Sequence, residues 1–408
     1  MAEKETNKTT IDETTIDKTA IGETVEVELG PVAHGGACVA RLPGGAGPGR
    51  VVFVRGGLPG ERVRAVLTDT SRKAWWRAQV AEVLVASPGR VVPPCPLAGR
   101  CGGCDFQHIA LPRQRELKAG LVAEQLRRLA GVTIDDLIVE AVPGDQAGLG
   151  WRTRMRYLVQ GGRAGLRAAA SHDLVALSAA GCPLAVPGGP SPQELAGLAG
   201  GAGEVCVTVA DSGLTVWRPG AGVVQGQAVV TEQAAGRVFQ VRADGFWQVH
   251  PGAANALAEA VRAALKPQPG ERAVDLYCGV GLFAAVLAGA GAQVLGVEAN
   301  RAAVNLARRN VPGATFQAGP VEKVAWDSPG AGGLVVLDPP RAGAGCAVVH
   351  RVAATRPREI AYVACDPAAL ARDIAYFAAE GYALANLQAF DIFPMTSHVE
   401  SLALLNPQ

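Results

Sequence analysis

No apolar run in the 408-residue sequence approaches the ~20 residues that a membrane-spanning helix needs. The first residues, Met1 to Gly22, are polar and acidic, which excludes a signal peptide and an Arg-rich transit peptide. The expected location is the cytoplasm, with no membrane partner. Net charge is also small: 38 Lys and Arg stand against 37 Asp and Glu, a formal +1. That average argues against a nucleic-acid partner until its distribution is read. Between Arg50 and Arg167 there are nineteen Lys or Arg and ten Asp or Glu, an excess of nine. A local excess of this kind is the electrostatic footprint of a phosphate-contacting region, or else a solvated surface of biased composition. Nine cysteines in a reducing compartment do not make a disulfide framework. Three of them cluster, Cys95, Cys101 and Cys104, while Cys38, Cys182, Cys206, Cys278, Cys346 and Cys365 are scattered. What remains is a chain 49% hydrophobic and 18% charged, long enough for two or three globular domains.

The opening residues carry a near-repeat, TTIDET then TIDKT, with few side chains able to form a core, and read as a disordered tail over 1–23. From Thr24 to about Ala86, short β-rich runs separated by Gly and Pro predict a small barrel of about five strands. Within it, HGGACVAR (His34 to Arg41) and VVFVRGGLPGERV (Val51 to Val63) resemble the TRAM domain, an RNA-binding barrel. Trp75 and Trp76, beside Arg72, Lys73 and Arg77, could stack on bases and pair with phosphates; the plainer alternative puts one Trp in the core. A Pro-rich junction (Ser87 to Pro96) leads to the cysteine cluster and to a helical stretch from Leu111 to Gly131. Its apolar face is read as Leu117, Leu121, Gln125, Leu126 and Leu129. Residues from Gly150 to Val241 read as strand-rich and Gly-broken, closing a central domain over 87–241.

From Arg272 onward strands and helices alternate, which predicts a parallel sheet covered on both faces, with ligands bound beyond the carboxyl ends of its strands. Asp275-Leu-Tyr-Cys-Gly-Val-Gly281 ends one such strand just before a helix. Gly279 and Gly281, with Tyr277 between strand and turn, would let the backbone approach a ligand. Glu298, one strand–helix–strand unit later, is placed to accept hydrogen bonds from ribose hydroxyls. The third glycine of a dinucleotide fingerprint is missing, since position 284 is Ala. Asp275 beside the turn suits a ligand without phosphate. S-adenosylmethionine (SAM) meets both conditions, and the expected domain over 242–408 is a doubly wound, Rossmann-like methyltransferase.

Three further segments fall at strand ends: Leu337-Asp-Pro-Pro-Arg-Ala-Gly343, Tyr362-Val-Ala-Cys-Asp-Pro367 and Phe393-Pro-Met-Thr-Ser-His-Val-Glu-Ser401. Together with Phe246-Trp-Gln-Val-His250 and the cofactor turn, they resemble the RNA 5-methyluridine (uracil-C5) methyltransferase family, in the branch that carries a TRAM domain and an iron–sulfur cluster. The resemblance covers essentially everything after residue 24. It implies an RNA partner, rRNA or tRNA, with no obligate protein partner. It implies that Cys365 is the nucleophile adding to carbon 6 of uracil and Glu400 the base removing the carbon-5 proton. Gln248 and Asp338 are implied to contact the cofactor, Asp338 alternatively the uracil edge, and Arg341 a phosphate or the enolate oxygen. His250 and His398 are assigned structural hydrogen bonds. The target would be flipped out of a loop into the cleft. Leu282 and Pro320 depart from the family pattern near the cofactor, as do Asp-Pro-Pro and Cys-Asp-Pro, without removing nucleophile or base.

Cys95, Cys101 and Cys104, with Cys182 in SAAGCPL as a fourth, supply ligands for zinc or an iron–sulfur cluster. The family branch implies a [4Fe-4S] cluster, with zinc as the alternative, in a structural role organising the basic domain against RNA. The rival readings are a non-catalytic RNA-binding protein that keeps the fold, and an RNA cytosine-5 methyltransferase.

Overall fold

The computed structural model describes residues 21–43, 48–169, 171–326 and 328–408; the expected disordered tail lies, up to residue 20, outside them. The chain divides into two compact units, Met1–Arg90 and Val91–Gln408.

The first unit holds β1 (Thr24–Glu28), β2 (Cys38–Arg41), β3 (Val51–Arg55), β4 (Arg62–Asp69) and β5 (Trp75–Val85) in the order β1-β4-β5-β3-β2. Gly30 N donates to Val39 O and Val39 N to Pro31 O, so the chain after β1 closes onto β2 and a barrel results. Strict alternation drives it: Val63, Ala65 and Leu67 on β4 and Val52 and Val54 on β3 point inward and are buried. Trp76 is fully buried among them, under the Arg50 guanidinium at 4.3 Å, so it cannot stack on a base. Trp75 is half-buried, edge-on to Phe53, with Arg77 over its ring at 5.0 Å. The two tryptophans therefore do not form the paired RNA platform that their adjacency suggested, because neighbours on a strand face opposite sides.

Glu61, fully buried, closes the barrel. It accepts from Arg90 Nε at 2.6 Å and Nη2 at 2.7 Å, and from the amides of Leu58 and Ser87. Burial alone would raise its pKa, but the Arg90 fork and the two amides outweigh that and hold the carboxyl below its usual 4.5. Glu61→Ala would leave these donors unpaired. It should destabilise this unit by ~3 kcal/mol, read as a lowered first transition in calorimetry. Because the folded pKa is depressed, the stabilisation is present above about pH 4.5 and is lost as pH falls through the folded value.

The second unit begins with α1 (Leu111–Gln125), continued by one π-turn over Leu126–Ala130 and stopped at Gly131, whose φ is +66°. Then come β6 (Val139–Ala141), β7 (Arg154–Gln160), β8 (Arg163–Arg167), β9 (Leu174–Ala176), α2 (Pro192–Leu198), β10 (Gly203–Ala210), β11 (Gly213–Arg218), β12 (Gly222–Gln225) and the hairpin β13 (Val229–Ala234) and β14 (Arg237–Arg242). Strands β12-β11-β10-β7-β8-β9 form an antiparallel sheet. The remaining elements are α3 (Ala253–Leu265), β15 (Arg272–Leu276), α4 (Leu282–Gly289), β16 (Gln293–Glu298), α5 (Arg301–Asn310), β17 (Thr315–Ala318), β18 (Leu334–Leu337), α6 (Gly345–Ala354), β19 (Glu359–Ala364), α7 (Pro367–Ala379), β20 (Tyr382–Asp391) and β21 (Glu400–Pro407).

These build an eight-stranded sheet, β17-β16-β15-β18-β19-β21-β20-β6, parallel except for β21. Its strands read as continuous apolar runs because both faces are covered. Ala273, Leu334, Val336 and Val363 pack toward α3, α4 and α5; Val274, Val335, Leu337 and Tyr362 pack toward α1, α6 and α7. The strand order reverses between β15 and β18, which opens a crevice at their carboxyl ends.

The packing of this unit adds two facts. No boundary between compact units falls near residue 241: α1 lies on α7 and β6 extends the large sheet beside β20, so residues 111–141 belong to the C-terminal fold. The buried face of α1 also differs from the apolar pattern. Leu129 is exposed, and Gln114, Lys118, Leu121, Val122, Gln125 and Leu126 are inside. Lys118 occupies the core because Nζ donates to Asp391 Oδ1 at 2.5 Å and to Phe393 O at 3.0 Å, while Arg115 Nε reaches Asp391 Oδ2 at 3.2 Å. A buried charge needs such partners, and hydrophobic periodicity cannot register them.

Candidate active site

The crevice at the switch point is a cleft of about 850 Å³. Gln248, Tyr277, Gly279, Glu298, Asp338, Cys365 and Glu400 line it, so seven of the eight residues expected for catalysis and cofactor binding meet there. Gly281 does not. It caps α4 with φ +94°, and a Cβ would meet Val311 at 3.2 Å and Phe316 at 3.5 Å, so this glycine permits packing beneath the turn. Gly279 has φ +54° and nothing within 4 Å of a Cβ position, so a side chain there would project into open space. Asp275 is fully buried and accepts from Ala284 N at 2.8 Å; it anchors the start of α4 and does not line the cleft. Leu282 is buried too, so its departure from the family pattern concerns packing, whereas Pro320 does line the cleft.

Glu298 bridges two elements: one carboxylate oxygen accepts from Gly279 N at 3.1 Å, the other from Asn300 N at 2.7 Å. Asn300 caps α5 through its side chain and also lines the cleft. Arg152, Phe246, Asn300 and Leu306 are lining residues that the motifs did not single out as site residues. Of these, only Phe246 had a signal, its place in FWQVH; it is 72% exposed at the rim.

Nucleophile and base candidates come from neighbouring strands. Strands β19 and β21 pair antiparallel through Ala364 and Ser401, so Cys365 and Glu400 follow as the next register position at the cleft edge. Burial, then the Glu400 charge, pushes the Cys365 thiol up to about 11, against the Arg341 guanidinium, which favours the thiolate. Burial, with Asp338 second, holds the Glu400 carboxyl well above its usual range, and burial pushes Asp338 up to about 7. Such a pocket resists carrying several negative charges unaided.

Arg341, exposed on the loop after β18, has Nη2 3.0 Å from His398 Nε2. Burial first, then the Arg341 charge, lowers the His398 pKa, so its neutral ring accepts from the guanidinium. His250 is buried and stacked on Trp151, and its Nδ1 accepts from Gly252 N. The Asp338–Gly343 turn is tied down by Asp373, which accepts from Tyr362 Oη at 2.6 Å and from the amides of Ala344 and Gly345.

The four expected ligand cysteines lie outside this cleft. None is in a disulfide. Burial, then the neighbouring Cys101, Cys182 and Cys95, push the Cys104 thiol up to about 12. Gly103 N donates to Cys101 Sγ at 3.3 Å and Gln107 Nε2 to Cys104 Sγ at 3.0 Å. As the side chains stand, among the described residues, no three His, Cys, Asp or Glu groups close into a shell that could hold a metal ion. No helix among the described residues is long and apolar enough to cross a membrane.

The TRAM domain family matches residues 18–74, and the tRNA (Uracil-5-)-methyltransferase family matches residues 331–408, the stretch holding Asp338, Cys365 and Glu400. An uncharacterized RNA methyltransferase of Streptomyces avermitilis is 44% identical, over 94% of this chain and 98% of that one. The 23S rRNA (uracil(1939)-C(5))-methyltransferase RlmD of Alkalilimnicola ehrlichii is 33% identical, over 87% and 91%. The Pyrococcus abyssi tRNA (uracil-54, C5)-methyltransferase in complex with S-adenosyl-L-homocysteine superposes with a TM-score of 0.70 over 93% of this chain and 99% of that one; at 22% identity it shares the fold. The chain belongs to the TRAM-domain RNA (uracil-5-)-methyltransferase family.

Proposed function

We propose that the protein methylates carbon 5 of a uridine in rRNA or tRNA with SAM as donor, and that Cys365 and Glu400 are its nucleophile and base. The observation that carries this is their meeting, from adjacent strands, in the cleft that also holds Gln248, Glu298 and Asp338. Bound SAM supplies an electrophilic methyl group on a sulfonium. The chain's residues supply the rest. Glu298 takes the ribose hydroxyls; Gly279, Val280 and Leu306 line the same cleft. Cys365 thiolate adds to carbon 6 of the uracil, and the ring's electron pair at carbon 5 takes the methyl group. Glu400 carboxylate then removes the carbon-5 proton; the C5=C6 bond re-forms and the Cys365 thiolate leaves. Arg341 beside Cys365 offsets negative charge on thiolate and enolate. The basic central region and the barrel are the surfaces for RNA.

Nucleoside mass analysis of rRNA and tRNA from a deletion strain and its complemented parent tests the reading. One 5-methyluridine should disappear and return. Loss of a 5-methylcytidine instead would assign cytosine chemistry, and no change, with SAM failing to bind in calorimetry, would leave an RNA-binding protein.

The raised carboxyls give a pH prediction. A bound sulfonium favours the ionised forms of Asp338 and Glu400, so binding releases protons and SAM affinity should tighten as pH rises through about 7. Calorimetry in buffers of different ionisation enthalpy would register the released protons; affinity flat from pH 6 to 8 would contradict the assignment.

For Cys95, Cys101, Cys104 and Cys182 we propose a [4Fe-4S] cluster, with zinc as the alternative. The donor chemistry supports this: four cysteines, three of which bear on Cys104, with Gly103 N donating to Cys101 Sγ and Gln107 Nε2 to Cys104 Sγ. Iron and acid-labile sulfide in the anaerobically purified protein would support iron–sulfur; zinc without sulfide would replace it.

A further inference from the structure

The strongest hydrogen bonding of the cysteine loop is to the segment that carries the base. Asp105 follows Cys104 directly. Its Oδ1 accepts from Ser397 N at 2.8 Å and its Oδ2 from Ser397 Oγ at 2.7 Å. The amides of Asp105 and Phe106 both donate to Met395 O. Gln114, fully buried on α1, accepts from Met395 N at 2.8 Å through Oε1, while its Nε2 donates to the carbonyls of Phe106 and Ile109. Thus the backbone N–H and C=O of Met395, and both hydrogen-bonding groups of Ser397 nearest the loop, are held from residues nearly three hundred positions earlier.

Met395 needs such restraint. Its φ is +64°, a left-handed conformation that costs a non-glycine residue ~1 kcal/mol or more and persists where the surroundings over-determine it. Glu400 begins β21 five residues later, buried. The Cys365 strand receives none of these bonds.

We propose that Asp105 is a positioning residue for the base: it latches Ser397, and with Gln114 fixes the turn that aims Glu400 at carbon 5. The inference rests on the reaction proposed above and adds to it that the cysteine loop acts on proton removal. Losing the latch should slow that step while leaving Cys365 addition and methyl transfer alone.

Full-length Asp105→Ala and Asp105→Asn proteins would be assayed with labelled SAM on total RNA from a deletion strain, and on the same RNA bearing 5-fluorouridine. Fluorine cannot be removed as a proton is, so the fluorinated RNA reports addition and methyl transfer without the base. Asp105→Ala should turn over ordinary RNA at least ~10-fold more slowly, as displacement of a catalytic group by a fraction of an ångström does. It should accumulate RNA–protein adduct on denaturing gels and form the fluorouridine adduct at the wild-type rate. Asn keeps an acceptor for Ser397 N, and Ser397 Oγ can reverse its role, so Asp105→Asn should restore most of the turnover. Wild-type turnover in Asp105→Ala, an equal fall on both RNAs, or an Asn variant no better than Ala would each overturn the proposal. Should Asp105→Ala fail to bind SAM, Ser397→Ala takes its place; a ~3-fold slowing confined to ordinary RNA is expected, and wild-type behaviour overturns the latch. Absence of any fluorouridine adduct with the wild-type protein would instead sink the reaction itself.

Discussion

Replacing Cys365 with alanine should abolish methyl transfer to RNA, by roughly 10⁴-fold or more, the scale on which removal of a covalent nucleophile acts. Carbon 5 of uracil is too weak a nucleophile to take a methyl group unaided, and among the described residues no other thiol lines the cleft to stand in: Cys278, within the cofactor turn itself, is buried and absent from the lining. The substitution should spare the fold, because Cys365 is half-buried at a strand end and loses a single sulfur. SAM affinity should therefore persist in calorimetry while transfer of labelled methyl groups falls to background. A Cys365→Ala protein retaining a few per cent of normal activity would mean that no covalent bond to this sulfur is required.

The second large effect runs in the opposite direction on the gel. Glu400→Gln should leave addition and methyl transfer possible but slow proton removal by roughly 10²–10⁴-fold, so that RNA remains bonded to Cys365. The amide is a close mimic of the form that burial already favours, since the carboxyl of the free protein is held well above its usual range. The variant should therefore fold. Incubation with SAM and RNA should give a denaturation-resistant adduct that needs both reagents and disappears in the Cys365→Ala, Glu400→Gln double variant. If the adduct formed equally without SAM, the trapped species would not be the methylated intermediate and the block would not lie at proton removal; if none formed, another group would be the base.

Much of this site was legible in the sequence because strand-end motifs in a doubly wound fold are carried to one edge of the sheet whatever the helices between them do. DLYCGVG, LDPPR, VACDP and SHVES each end or begin a strand flanking the crevice, so linear order translated into proximity. What failed to show depends on long-range partners. Lys118 reads as a solvent-facing charge until Asp391 is placed opposite it. Asp275 reads as a cofactor contact, yet its partner is Ala284 N, which an alternation of apolar residues does not predict. Gly281 carries the same fingerprint signal as Gly279, and only the position of Val311 separates packing from ligand approach. Asn300 and Arg152 gave no local signal at all. The Asp105–Ser397 contact spans 292 positions, with ordinary loop residues at both ends.

The place of β21 in the sheet has a consequence for biosynthesis. It is hydrogen-bonded on both sides, to β19 and to β20, and it begins with Glu400. Until residues 400–407 leave the ribosome, β19 and β20 have a gap between them and two apolar faces cannot close. The barrel, whose strands all precede Arg90, can mature hundreds of residues earlier. A growing polypeptide could thus engage RNA through its leading portion well before it is able to modify anything, and nascent chains stalled just short of Glu400 would bear unzipped strand edges that chaperones recognise.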